Sequence, residues 1–163
     1  MRKEIFNEVE ILPGIEASIN ENKITIKGPL GEIQRKINMK NVAIEIKENK
    51  IKIGNKKATK KEKKLINTIT AHIKNMVNGV QKIFEYKLKI CFSHFPITVD
   101  VKDNGAIIKN FLGEKIPREA VILKGVNVMV KGQEVVVSSI NKEAAGQTAA
   151  NFERATRITK RDR

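Results

Sequence analysis

The chain has 163 residues, 32 of them basic and 18 acidic, for a formal charge of +14 and a pI near 9.9. That excess is more than solubility requires; it favours a polyanionic partner, nucleic acid first and an anionic membrane second. One cysteine, Cys91, excludes an internal disulfide framework and a cysteine-based zinc knuckle.

Period-2 alternation dominates the first stretch. Ile24 and Ile26 alternate with Lys23, Thr25 and Lys27, Val42, Ile44 and Ile46 with Ala43, Glu45 and Lys47, and Ile51 and Ile53 with Lys50 and Lys52. These read as strands with one apolar and one solvated face, joined by turns at Asn20-Glu21-Asn22, Gly28-Pro29-Leu30-Gly31 and Glu48-Asn49. The period then becomes helical over 59–78, where Leu65, Ile69, His72 or Ile73, and Met76 recur. Thr59 with Glu62 three residues on forms a capping box, and Gly79 is a natural stop. A long strand is expected over 80–92, with Phe84, Tyr86, Leu88, Ile90 and Phe92 on one face and Cys91 a buried small hydrophobe. Shorter strands are expected around 97–102, 106–110, 126–131 and 134–138. A last helix over 142–157 turns Ala145, Ala149, Phe152 and Thr156 inward. No apolar run approaches the ~20 residues of a membrane span. The opening Met1-Arg2-Lys3-Glu4-Ile5 lacks the apolar region of a signal peptide, so the expected compartment is reducing and intracellular.

The chain contains itself twice. Ile26-Lys27 and Leu30-Gly31-Glu32 return as Ile108-Lys109 and Leu112-Gly113-Glu114, and Lys61-Glu62 returns as Lys142-Glu143. Between them, Val42, Ile44, Ile46, Lys47, Ile51 and Ile53 are answered by Val126, Val128, Val130, Lys131, Val135 and Val137. Matched blocks in one order indicate a tandem duplication. The expected fold is therefore α+β: two tandem similar domains, 1–79 and 80–163, each a small, mostly antiparallel sheet packed on one face by a helix. The first half holds 17 basic and 9 acidic residues and the second 15 and 9, so net charge does not say which half meets the partner.

Arginine distribution does distinguish them. The last ten residues hold Arg154, Arg157, Arg161 and Arg163, four of the chain's seven arginines, together with Lys160. A guanidinium grips phosphate oxygens through paired hydrogen bonds, which an ammonium cannot do. Lys56-Lys57, Lys60-Lys61 and Lys63-Lys64 form a second cluster at the start of the first helix, where cations oppose the helix dipole; solvated surface and phosphate contact both remain open for it. Gly28-Pro29-Leu30-Gly31 matches a GxxG string formally, but it joins strands and Pro29 lacks an amide donor, so it reads as a hairpin turn. His72 and His94 lack a third ligand at metal spacing, and Asp100 and Asp103 lack further convergent acids. With no phosphate-binding glycine loop and no nucleophile–His–acid set, no enzyme, metal or cofactor is expected. Aromatics make up 4% of the chain, too few for a base-stacking sheet, so RNA recognition would rest on backbone shape and phosphates.

Tyr86-Lys-Leu-Lys-Ile90 with Ser93-His-Phe-Pro96, Asn110-Phe-Leu-Gly-Glu-Lys115 with Pro117-Arg118, and Asn141-Lys142-Glu-Ala-Ala-Gly146-Gln147-Thr-Ala-Ala150-Asn151 running into Arg154-Ala-Thr-Arg157-Ile-Thr-Lys160 are strings in which the chain resembles the L-six family of large-subunit ribosomal proteins in its archaeal and eukaryotic form. The resemblance implies two similar α+β domains, with large-subunit rRNA held mainly by the second domain and its basic C-terminal extension. It also implies a place near the translation-factor-binding region, in the vicinity of the sarcin–ricin loop. Its implied contacts are Asn141, Lys142, Gln147, Arg154, Arg157, Lys160, Arg161 and Arg163, with Lys115 and Arg118 in a loop of the same copy. Neighbouring ribosomal proteins are the other implied partners, and the implied location is cytoplasmic and ribosome-bound. A small-molecule substrate and a membrane are not expected. Two alternatives are a general basic RNA-binding module acting off the ribosome and a membrane-surface protein. The second is the weaker, because the helices lack large apolar faces with Trp or Phe.

Overall fold

β-Branched residues at every second position pack well on a pleated surface and send alternate side chains inward, so the alternating stretches form strands. The computed structural model describes residues 3–20, 22–37, 41–47, 49–103 and 105–158. In chain order, β1 (Lys3–Glu10), β2 (Glu16–Asn20), β3 (Lys23–Gly28), β4 (Gly31–Lys36), β5 (Ala43–Lys47) and β6 (Lys50–Ala58) lead into helix α1 (Lys60–Gly79). Then β7 (Phe84–Lys89), β8 (Thr98–Lys102), β9 (Gly105–Lys109), β10 (Arg118–Val121), β11 (Asn127–Lys131) and β12 (Glu134–Ser139) lead into helix α2 (Lys142–Ala155). A 3-10 turn, Phe111–Gly113, interrupts the path from β9 to β10.

The chain divides into two compact units, Met1–Lys82 and Ile83–Arg163. Each holds two three-stranded antiparallel sheets, ordered β1-β6-β5 and β2-β3-β4 in the first, β7-β12-β11 and β8-β9-β10 in the second. The class is α+β, and one topology is used twice; the single sheet expected per unit is split in two. The repeat extends to register. Ile44 pairs with Ile53 and Ile46 with Ile51, as Val128 pairs with Val137 and Val130 with Val135.

Elsewhere the matched letters do not share a shape. Ile26 pairs with Ile33, whereas its counterpart Ile108 pairs with Arg118, across a longer connection. Pro29-Leu30 forms the expected hairpin between the paired Gly28 and Gly31. A Cβ on Gly28 would lie 2.7 Å from Val80 Cγ2, so only glycine lets β3 pass this close. In the second unit, Asn110 and Leu112 take left-handed φ values of 58° and 51°, which turn the chain without a hairpin.

The first core gathers Ile24, Ile26, Ile51 and Ile53 from the sheets with Ile66 and Ile73 of α1, all fully buried. Thr59 and Glu62 form the expected capping box. The buried stripe of α1 is Ile66, Ile69, Ile73, Met76 and Val77; of the alternatives His72 and Ile73 the stripe takes Ile73, and the expected Leu65 is only half-buried. Adjacent helical positions differ by about 100°, so periodicity alone does not choose between neighbours, and the packing of α1 on β1 and β6 makes the choice.

The strand expected over 80–92 is shorter. Val80 is the C-cap of α1, buried in the first unit, and its carbonyl accepts the Leu30 amide at 3.1 Å. Only Phe84–Lys89 is strand. After the Ile90 amide bonds to the Gln133 carbonyl at 2.7 Å the chain leaves the sheet, and Cys91 is exposed rather than buried. α2 also departs from expectation. Thr148 is fully buried in its inner face, while Thr156 is the C-cap. Among the described residues, no helix is long and apolar enough to cross a membrane.

Candidate nucleic-acid interface

Four of the sequence candidates, Asn141, Lys142, Gln147 and Arg154, lie on α2 or at its N-cap. Asn141 is its N-cap: the side-chain oxygen accepts from the amides of Glu143 (3.0 Å) and Ala144 (3.4 Å). The Asn141 amide donates to Ser139 Oγ at 3.1 Å, and that hydroxyl donates to the Gly125 carbonyl at 2.7 Å, fixing where the helix begins. Lys142 stands outside, its Nζ 5.6 Å from the centre of the Phe84 ring.

Gln147, Asn151 and Arg154 follow at i, i+4 and i+7 and so share one face. Gln147 Nε2 donates to Asn151 Oδ1 at 3.0 Å, and Asn151 Nδ2 donates to the Val121 carbonyl at 2.8 Å. Asn151 was not among the sequence candidates; its i+4 spacing from Gln147 was the available signal. Arg154 is exposed in the last turn, where the helix dipole favours a cation, and Arg157 is exposed just beyond. Among the described residues, the side chains of Lys115, Arg154 and Arg157 make no hydrogen bond or ion pair. Lys160, Arg161 and Arg163 lie outside the described residues.

Arg118 is placed differently from the other candidates. Its Nε and one Nη donate to the two carboxylate oxygens of Glu114 at 2.8 and 2.7 Å. The other Nη donates to the carbonyls of Ala155 (2.9 Å) and Arg157 (3.2 Å), and the guanidinium lies 4.4 Å from the Phe111 ring centre. The bond to Glu114 pushes the Arg118 pKa up from its ordinary value. This side chain is committed within the protein.

Small residues let a helix backbone approach its neighbour closely, and of those on α2 Gly146 and Ala150 are half-buried. Ala145 and Ala149 are buried, and α2 lies against β7, β10 and β12 of its own unit. The close approach is internal. A tie at 3.3 Å from the Leu123 amide to Thr148 Oγ1 holds it there.

The remaining polar groups have structural partners or stand apart. Arg35 can only donate, so His72 Nε2 accepts from it at 3.1 Å. His94 meets Phe95 edge-on at 4.9 Å, and Asp100 pairs with Lys109 at 2.6 Å. Among the described residues, no group of three or more His, Cys, Asp and Glu side chains could hold a metal ion. A cavity of about 480 Å³ in the second unit is walled mainly by Leu88, Ile97, Val99, Phe111 and Phe152, without convergent acids.

A twice-used α+β scaffold, with exposed arginines at the end of its second helix that are unpaired among the described residues, defines a basic scaffold protein. The sequence model described as Ribosomal protein L6 matches residues 13–83 and again 95–163, and the chain belongs to this family of structural, non-enzymatic proteins. It is 48% identical over 158 residues to large ribosomal subunit protein uL6 of Methanobrevibacter smithii, covering 97% of this chain and 89% of that one. The corresponding protein of Methanosarcina mazei is 41% identical over 162 residues, covering 99% and 92%. That of Ignicoccus hospitalis is 43% identical over 163 residues, covering 95% and 86%.

Proposed function

We propose that the chain is a structural constituent of the large ribosomal subunit that binds and orders large-subunit rRNA through its second unit. The observation that carries this reading is the exposed face of α2, where Gln147 and Arg154 lead to Arg157 and both guanidiniums lack partners among the described residues. Two guanidiniums one turn apart can each grip a phosphate, while Asn141 and Gln147 present amide groups at the other end of the helix. Lys160, Arg161 and Arg163 extend the same basic run in sequence. Membership of the family supports a ribosome-bound, cytoplasmic location beside rRNA and neighbouring ribosomal proteins. Its place near the translation-factor-binding region, in the vicinity of the sarcin–ricin loop, rests on the family resemblance alone.

Three measurements test the reading. The protein should sediment with large-subunit particles after a high-salt wash. With about six phosphates neutralised, log K should fall with log salt at a slope near −5, roughly a thousandfold between 50 and 200 mM. An rRNA fragment from the factor-binding region should still outcompete random duplex RNA at equal salt. Equal affinity for both would point instead to a general RNA-binding module off the ribosome.

A further inference from the structure

We propose that Glu114 and Arg118 form a positioning clamp: they set the direction in which the chain leaves α2, and thereby aim Arg154 and Arg157 at phosphates, without touching the RNA themselves. The inference rests on the rRNA-binding reading of α2.

The geometry of Arg118 leaves it little to offer a ligand. Four of its five N–H groups are spent, two on Glu114 and two on the carbonyls of Ala155 and Arg157. Phe111 covers the guanidinium at 4.4 Å, and the two side chains of the ion pair are only 26% and 22% exposed. The pair is also neutral as a unit, so it would release few counterions from RNA.

What Arg118 does hold is the end of the helix. The last carbonyls of a helix have no intrahelical partner, and that of Ala155 is one of them, while the Arg157 carbonyl lies just past the C-cap. Backbone amides close both helices, Val80 on Met76 with Gln81 and Lys82 on Asn78 after α1, and Thr156 on Phe152 with Arg157 on Arg154 after α2. At the end of α2 the Thr156 hydroxyl turns back on Phe152 at 3.0 Å, and Arg118 reaches in from β10, 37 and 39 residues away in sequence. Glu114 fixes both oxygens of its carboxylate on the Arg118 fork, so the 3-10 turn, β10 and the helix exit become one rigid junction. Because Arg118 holds the carbonyl of Arg157, the clamp acts on the same residue whose side chain it would aim.

The sign of one substitution separates this from simple electrostatics. Glu114→Gln removes a negative charge beside an RNA-binding face, and charge alone predicts tighter binding. The clamp predicts weaker binding of an rRNA fragment from the factor-binding region, by roughly tenfold, the size of one or two misplaced charge-assisted contacts. Random duplex RNA of equal length should be bound nearly as before. Filter binding of the full chain at fixed salt reads both, with folding followed by circular dichroism. In an Arg154→Gln/Arg157→Gln background the effect of Glu114→Gln should vanish, whereas general damage to the fold would persist. If Glu114→Gln does not fold, Arg118→Lys carries the test: it keeps the charge but loses the fork, and the clamp predicts the same loss of discrimination. A wild-type chain that discriminates, with equal or tighter binding by the folded variant or an undiminished loss in the double background, overturns the clamp alone. A wild-type chain that does not discriminate overturns the rRNA reading, and the clamp with it.

Discussion

α1 and α2 close the same topology from the same position in their repeats, yet they are held by different forces. α1 buries Ile66, Ile69, Ile73, Met76 and Val77. α2 buries Phe152 as its one large side chain, beside Ala145, Thr148 and Ala149. What it lacks in apolar area it makes up in direction: Thr148 accepts from Leu123, Asn151 donates to Val121, and Arg118 donates to Ala155 and Arg157. Hydrophobic burial is non-directional and tolerates small slides, whereas a set of hydrogen bonds fixes register and rotation. A helix that presents side chains to a rigid polyanion gains from the second kind of attachment. Both units pair some of their cations, Lys109 with Asp100 and Arg118 with Glu114 in the second. In the first unit Lys27, Lys47 and Lys50 lie within 3.8, 3.5 and 3.8 Å of Glu32, Glu45 and Glu8, while Arg154 and Arg157 on the second are unpaired among the described residues.

The comparison breaks most visibly if the wrong repeat binds RNA. Replacing Arg154, Arg157, Arg161 and Arg163 with Gln should abolish discrimination for the rRNA fragment and flatten the salt slope by about three to four units. Filter binding across a salt series measures both.

The reliance of α2 on one large side chain predicts a steep response in the second unit. Phe152→Ala should cost about 3–5 kcal/mol in denaturant unfolding, since the residue also walls the existing cavity. A loss under about 1 kcal/mol would show that the polar ties, and not Phe152, hold the helix.

The lysines at the start of α1 sharpen the ranking. Lys60, Lys61, Lys63 and Lys64 are all exposed, and changing all four to Gln should weaken binding only severalfold while preserving preference for the rRNA fragment. A larger effect than that of the arginine set would move the principal site to the first unit.

The smallest expected effect concerns the capping box. Thr59→Ala should destabilise α1 by about 1 kcal/mol in thermal unfolding. Hydrogen bonds from the Thr59 side chain and then its backbone hold the Glu62 carboxyl below the usual carboxylate range. A carboxyl depressed in the folded state adds stability above its unfolded pKa and loses it as pH falls through the folded one. The cap should therefore weaken only below about pH 4, and Glu62→Gln should remove that acid dependence of α1 helicity.

Much of the scaffold was legible because its determinants are local. The β5–β6 and β11–β12 hairpins could be read from alternation around short polar turns, and their registers repeat as the matched residues require. Thr59 and Glu62 announced the start of α1, since a capping box needs only residues three apart. β10 gave no such sign. Only Ala120 of its four residues is buried, and pairing with β9 together with the ties to α2 makes it a strand. Cys91 looked like core because its neighbours alternate, but the strand ends at Lys89.

The candidate site divides in the same way. The sequence by itself determined that arginines gather at the end of the second repeat and that polar residues open its helix, because composition and spacing are properties of the chain. Only the tertiary structure decided which of these groups stay available. Arg118 and Arg157 look equivalent as letters; one is spent on Glu114 and on carbonyls 37 and 39 residues away, and the other has its side chain left outward. A charge is written into a residue, but its availability to a ligand depends on what the fold brings within about 3 Å of it.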